Sequence, residues 1–388
     1  MPDEYLAGAR VVAAYQSKYE KRSERTPLEL VIEAVSEVVL NAGLEPSDVD
    51  GLAVASFQLA PDNVVTVAEQ LGATLRWAWQ GAHGGASGVV SVIQAAEAIT
   101  LGRARVVVCA AADAFTTSSH NAMVNVFNTG MRDHLAPYGF GGTNGIFAMV
   151  EREHRERFGT TREQLGKIAV TQRRYAQRNP NALLRGPLSI EDYLNARVIA
   201  DPVRLFDCVL PCAGADAVLL VAPDLARELQ GASVLVRAGS QRHNHLPAEV
   251  LSVTTGAAAY ATQLFETAGV SRDELDFVQL YDDYPIMVVV QLEDLGFAEK
   301  GDGGRFVDVT SFEPDGDLPL NTGGGQLSCG QAGASGGMIG VYEGVTQLLG
   351  QAGSRQLADA RLGLVSGFGM VGYAKGLSSA TAVFERAA

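Results

Sequence analysis

Cysteine is scarce in this sequence. The chain of 388 residues has four, Cys109, Cys208, Cys212 and Cys329, too scattered for a disulfide framework and without a CxxC pair. Cys208 and Cys212 lack the His or further Cys that zinc would need, so no metal site is expected and the cysteines read as reduced, in a cytoplasmic protein. Basic charge is short as well. Against 44 Asp and Glu stand 30 Lys and Arg, a net charge of -14, and the run from Lys18 to Arg25 is broken by two glutamates. That balance argues against a nucleic-acid partner. Asp3 and Glu4 open the chain with no apolar stretch behind them, and no window of about 18 residues is apolar enough to span a membrane.

What is present is an ordinary globular composition, 47% apolar and 19% charged, long enough for one large or two medium domains. Glycine is concentrated in one stretch, Asn321 to Gly340, NTGGGQLSCGQAGASGGMIG, which opens into the amphipathic segment Val341 to Leu349. Such a run lets backbone approach a ligand closely and points helix-start N–H groups at it, although composition alone also fits a flexible linker. Its Gly333-Ala-Ser-Gly336 recurs once, at Gly85 to Gly88.

The recurrence extends. A strand is expected at Ala7 to Ala14, then Thr26-Pro27 cap a helix over Leu28 to Ala42. Ala42 to Val54 and Ala268 to Leu280 align without a gap at an offset of 226 (268 minus 42), each reading as helix end, glycine cap, acidic turn and buried strand. After Gly85–Gly88 come a helix to Ile99 and a strand over Ala104 to Ala112; after Gly333–Gly336 come a helix to about Leu349 and a strand over Arg361 to Ser366. The offset there is 248 (333 minus 85). Two copies of one element order imply a duplicated α/β unit. Between them lie helices over Phe147 to Phe158 and Thr161 to Arg178, a strand over Gly214 to Val221, and a polar crossover, Gln241 to Pro247. The boundaries drawn are 1–240 for the first half, with an inserted loop region at about 115–205, and 241–388 for the second.

With the AHGGASG loop, the segment from Asn179 to Cys208, the GADAVLLV strand and YDDYPIMVVVQLEDLGF from Tyr281 to Phe297, nearly the whole chain resembles the thiolase superfamily, close to the lipid-transfer (sterol-carrier-protein-type) thiolases. The resemblance implies an α/β thiolase fold: two duplicated halves, each with a five-stranded mixed sheet, in a five-layered αβαβα arrangement. It also implies a coenzyme A thioester as substrate, no bound cofactor, and a homodimer.

Each of the family's four catalytic positions departs from its pattern. The nucleophilic cysteine is replaced by Gly85, the residue leading the thioester-binding motif by Tyr281, the oxyanion histidine by Gln331 (or, shifted by one, Gly330), and the acid/base cysteine by Val365 ahead of Gly367-Phe-Gly369. A glycine forms no acyl-enzyme. In these respects the chain resembles the cysteine-less aldolases that shorten steroid side chains, which work with a small partner of OB-fold and zinc-ribbon type, though a second family tyrosine is absent at position 331.

The reaction this resemblance implies is retro-aldol cleavage of a 3-hydroxyacyl-CoA. Tyr281 would be the general base, its pKa lowered by neighbours. Gln331 and the backbone N–H groups of Gly85 and Gly369 would hold the enolate. Asp282, Tyr284, His83 and Tyr373 are supporting candidates, and Ser87 belongs to the substrate-binding loop. Two alternatives stand beside it: acyl transfer through a relocated nucleophile, Cys329 or Cys212, and a non-catalytic acyl-CoA-binding subunit. His120 and His134 flank a substrate loop expected over Thr116 to Gly145.

Overall fold

In the computed structural model, residue 6 and residues 8–140, 142–229, 231–246 and 248–387 are described. Asp3, Glu4, Ala7 and Pro247 lie outside them. The first strand forms slightly later than expected, as β1 (Arg10–Gln16). Thr26 and Pro27 then start α1 (Pro27–Asn41) as their chemistry requires. The Thr26 hydroxyl accepts from the Glu29 N–H, the Glu29 carboxylate accepts from the Thr26 N–H, and proline takes the first turn, where its missing donor costs nothing.

In chain order follow β2 (Gly51–Ala55), α2 (Val64–Leu71), β3 (Trp77–Gly81), α3 (Ser87–Thr100), β4 (Val106–Ala114), α4 (Thr117–Asn125), α5 (Thr143–Phe158) and α6 (Arg162–Gln177). Next are α7 (Ile190–Asn195), the short pair β5 (Val198–Ala200) and β6 (Val203–Arg204), β7 (Ala213–Val221), α8 (Pro223–Glu228) and β8 (Val234–His243). The chain closes with α9 (Ala261–Ala268), β9 (Phe277–Gln279), α10 (Pro285–Asp294), α11 (Gly303–Val309), α12 (Gly325–Cys329), α13 (Ile339–Leu348), β10 (Leu362–Gly372) and β11 (Lys375–Arg386).

Nine strands hydrogen-bond in the order β3-β2-β4-β7-β1-β8-β11-β10-β9. The first five are mixed: β2 is parallel to β3 and β4, while β7 is antiparallel to β4 and β1. In the second half β11 runs antiparallel to β8 and β10, and β9 runs parallel to β10. The two halves join edge to edge, with β1 pairing to β8 through Arg10–Leu235 and Val11–Val234. One correction to expectation emerges. The second sheet has four strands rather than five, the fifth being reduced to a bridge between Val278 and Leu320. The segment that would supply it contains Pro314 and Pro319, which have no N–H to donate to a ladder. In addition, Gln241 to His243, expected as crossover, extend β8.

Side chains alternate across these strands and so define layers. Val106, Val108 and Ala110 of β4 share one core with Leu30, Val35 and Val39 of α1. Val107, Cys109 and Ala111 turn the other way, into a core with Val89 and Ile93 of α3, Val341 and Val345 of α13, and Val365 and Ala382 of the second half. The opposite faces of β10 and β11, Leu364 and Val383, pack with Leu264 of α9 and Ile286 and Val290 of α10. Helices α3 and α13 therefore form the middle of five layers. Eleven of the fourteen residues of α3 are buried, as a helix covered on both sides demands.

The duplicated loops meet here. A Cβ on Gly88 would stand under 3.0 Å from the Gly337 carbonyl, and one on Gly337 would strike the Gly85 carbonyl. Glycine is required because backbone faces backbone across the starts of α3 and α13. Two buried acids hold the second loop: Asp113 of β4 accepts from the Ala334 N–H (2.8 Å), and Asp216 of β7 accepts from the Ser335 hydroxyl. Among the described residues, no helix is long and apolar enough to cross a membrane, and no three His, Cys, Asp or Glu side chains gather as a metal site would require.

Candidate active site

Tyr281 follows β9 in a turn that is tied down from several sides. Asn321, the first residue of the glycine-rich stretch, adopts φ +50 and grips Leu280 twice, accepting from its N–H (2.8 Å) and donating to its carbonyl (2.9 Å). The Tyr281 N–H donates to Ser366 Oγ (3.2 Å), Ser366 donates to Gln291 Oε1 (2.6 Å), and Gln291 Nε2 donates back to the Tyr281 carbonyl (2.7 Å). That ring fixes the tyrosine backbone between α10 and β10.

The phenol lies against Gly85. A Cβ on Gly85 would stand under 3.0 Å from Cε2, Cζ and Oη of Tyr281, closer than real contacts allow. The tyrosine thus takes the space of the side chain that Gly85 lacks. Gln331 Nε2 makes a long 3.5 Å hydrogen bond to Tyr281 Oη and a 3.2 Å bond to Gln326 Oε1. Asp282 is fully turned inward, its two oxygens accepting from the Gln326 N–H (3.0 Å) and Leu327 N–H (3.2 Å) at the start of α12. Gly325 is needed there, since any side chain on it would collide with the Asp282 carboxylate.

A cleft of about 530 Å3 opens on this group. Gly85, Tyr281, Tyr284, Gln331 and Gly369 line it, together with Asp283 and His120, and Phe57, Phe127, Phe147 and Phe368 supply apolar wall. Tyr284 stacks on Phe147 with ring centroids 4.3 Å apart and donates to Asn144 Oδ1 (2.6 Å).

The other expected residues lie elsewhere. Cys329 is buried among Cys212, Ala176 and Ala182, donates to the Gly323 carbonyl (3.0 Å), and is not on the cleft wall; burial pushes both thiols well up, away from thiolate. Neither has the form of a relocated nucleophile. Gly330 (φ +115) turns the backbone over Cys212. Ser87 faces inward and accepts from the His83 N–H (3.0 Å). The His83 ring stacks on Trp79 and lies 4.7 Å from the His243 ring, outside the cleft. Tyr373 stands on the outer surface with His134 (2.8 Å). Val365 packs on Gly340 and Gly344 of α13, so it is Gly369, four residues on, that comes up against Gly85.

The electrostatics correct another expectation. Burial, then Asp283, then Asp282 push the Tyr281 pKa well above its ordinary value, so the phenol is neutral and a donor rather than a standing base. Burial raises Asp282 to about 7 and pushes Asp283 well up, with Asp282 adding to the effect. Burial lowers His120 to about 4. Gln326, Gln291, Ser366 and Asp283 were not singled out from the sequence. Gln291 had one visible signal, as a lone amide in the apolar run PIMVVVQL.

The N-terminal thiolase domain matches residues 9–185 and the thiolase C-terminal domain-like family residues 238–386. The chain is 32% identical over 360 residues to the 17-hydroxy-3-oxo-4-pregnene-20-carboxyl-CoA lyase of Mycobacterium tuberculosis, covering 88% of this chain and 92% of that protein. It is 32% identical over 364 residues to the steroid side-chain-cleaving aldolase of Thermomonospora curvata, covering 89% and 91%. The solved Ltp2-ChsH2(DUF35) aldolase superposes with a TM-score of 0.84 at 30% identity over 98% of each chain. Human mitochondrial 3-ketoacyl-CoA thiolase shares the fold, with a TM-score of 0.71 at 15% identity. A duplicated five-layered fold without the acyl-accepting cysteine, and relatives that are lyases, lead to one assignment: this chain belongs to the thiolase superfamily, on the branch that includes the steroid side-chain-cleaving aldolases.

Proposed function

We propose that the chain cleaves the C2–C3 bond of a bulky 3-hydroxyacyl-CoA by a retro-aldol reaction, with Tyr281 as the hydroxyl that receives the thioester oxygen. The observation that carries this reading is the Tyr281 phenol in the space left by Gly85. Thiolysis needs a nucleophile there, and retro-aldol cleavage does not. The C3 hydroxyl loses its proton, C3=O forms, and the C2–C3 electron pair moves into the thioester as an enolate, which is protonated at C2. Gln331 donates to Tyr281 Oη, which leaves the phenolic hydrogen free for the developing enolate oxygen and favours the charge it takes up. Gln331, Gly85 and Gly369 complete that wall.

The aromatic lining and the size of the cleft suit a rigid apolar acyl group, as the steroid names of the relatives suggest. The solved relative is titled as a two-component aldolase, and a small partner subunit belongs to the proposal, as do a homodimer and a cytoplasmic setting. The test is to purify the chain from its native host with whatever co-purifies. It is then incubated with 17-hydroxy-3-oxo-4-pregnene-20-carboxyl-CoA and, separately, with a 3-oxoacyl-CoA plus free coenzyme A. Release of a ketone and a shortened acyl-CoA from the first alone is expected; turnover of the second alone refutes the reading.

A further inference from the structure

Among the described residues, the buried carboxylate oxygens have hydrogen-bond partners, with one exception. Asp113 accepts from Ser56, Phe57, Gln58 and Ala334; Asp216 from Gln16, Tyr19 and Ser335; Asp282 from Gln326 and Leu327. Asp283 is nine-tenths buried, yet its Oδ1 has no hydrogen-bond partner, and among the described residues it is the one acid so left. A buried polar atom without a partner is costly, and a fold that keeps one is commonly using it. Asp283 also lines the cleft, between Tyr281 and Tyr284 in sequence and beside both in the wall.

Tyr281 and Asp282 are committed in other directions, the first as a neutral donor and the second to the start of α12. The reaction still needs a group that takes a proton. We infer that Asp283 is the catalytic carboxylate that accepts the C3-hydroxyl proton, an assignment that rests on the retro-aldol reading above. The C3 O–H bond breaks and its proton passes to Asp283; C3=O forms as C2–C3 breaks; the electron pair enters the enolate held by Tyr281; the proton then returns from Asp283 to C2. Protons and electrons balance without a co-reactant.

Asp282 stands beside Asp283 in its own turn, and the backbone N–H of Tyr284 at the start of α10 pulls its pKa down. The titratable and charged groups that share the cleft wall with it are Tyr281, Tyr284, His120 of α4, Arg197 and Cys208. Burial and Asp282 hold its proton more tightly than an ordinary carboxyl does. Its base form therefore accumulates only as pH rises, and kcat/KM falls as pH drops through that elevated value.

The experiment compares wild type, Asp283→Asn and Asp283→Glu, each purified with the co-purifying partner, on 17-hydroxy-3-oxo-4-pregnene-20-carboxyl-CoA across about pH 5 to 9. Asp283→Asn is expected to lower kcat about 10²- to 10⁴-fold and to abolish the acid limb of the profile. Asp283→Glu is expected to recover part of kcat together with the limb, and it carries the test if the asparagine variant does not fold. An asparagine variant within about threefold of wild type, or a slow one that keeps the wild-type acid limb, overturns the assignment. Wild type that leaves the C2–C3 bond of the substrate uncleaved defeats the lyase reading itself, which is a different result from cleavage by wild type and variant alike.

Discussion

The Tyr281 phenol occupies the volume that a side chain on Gly85 would need, so the two positions are exclusive: a residue larger than glycine at 85 requires something smaller than tyrosine at 281. Gly85→Ala should therefore cost about 1–3 kcal/mol by overpacking. Combined with Tyr281→Ala, which opens room, the double variant should be more stable than the sum of the singles by about 0.5–3 kcal/mol. Urea titrations of the four proteins measure this directly, and additivity would mean that the two residues are not in contact.

Cys329 is held by an Asn179 donor at 3.3 Å and donates to Gly323 at 3.0 Å, away from the cleft. Cys329→Ala should cost about 0.5–1.5 kcal/mol of stability for the lost hydrogen bonds and leave kcat within about twofold. Intact-mass spectrometry after incubation with acyl-CoA should find no adduct. An acyl group on Cys329 or Cys212 would restore the relocated-nucleophile mechanism.

Gln331 acts on Tyr281 through a single long hydrogen bond. Its loss in Gln331→Leu should lower kcat about three- to tenfold, the kinetic equivalent of about 0.5–1.5 kcal/mol. Steady-state kinetics checks this; a loss beyond a thousandfold would make Gln331 itself the principal oxyanion donor.

Asp113 ties the second Gly-Ala-Ser-Gly loop to β4, and burial raises its pKa to about 7. A carboxyl whose folded pKa lies above its unfolded value of about 3.9 stabilises the fold most below that unfolded value and loses this contribution as pH rises through about 7. Asp113→Asn removes the titration and presents one N–H2 where an oxygen accepted. The stability gap between wild type and variant should widen as the pH is lowered from about 8 to about 5. Calorimetry over that range decides it, and a gap that narrows toward acid pH contradicts the raised pKa.

Much of the architecture is legible in the sequence because duplication repeats local chemistry. Thr26-Pro27 caps a helix wherever it occurs before an apolar periodic run, and the two Gly-Ala-Ser-Gly copies mark the places where backbone must face backbone. The missing fifth strand is explained by Pro314 and Pro319, whose effect on a ladder depends on where that ladder would have been. Tyr281 could be placed by the family pattern, but its proton affinity could not. That follows from burial and from Asp283 and Asp282 folding back beside it. Ser366 and Gln291, 75 residues apart in the chain, meet only because β10 passes α10. Cys329 looked reactive for its loop, and the turn of α12 carries it inward.

The most direct test of the account is the rate of C2–C3 cleavage by Tyr281→Phe, with folding checked in parallel by thermal melting. Phenylalanine fills the same space beside Gly85 and removes only the hydroxyl, so the fold should stand while kcat falls about 10²- to 10³-fold, the loss expected for one donor to a developing oxyanion. A folded Tyr281→Phe variant that cleaves the C2–C3 bond within about threefold of wild type would contradict the central claim.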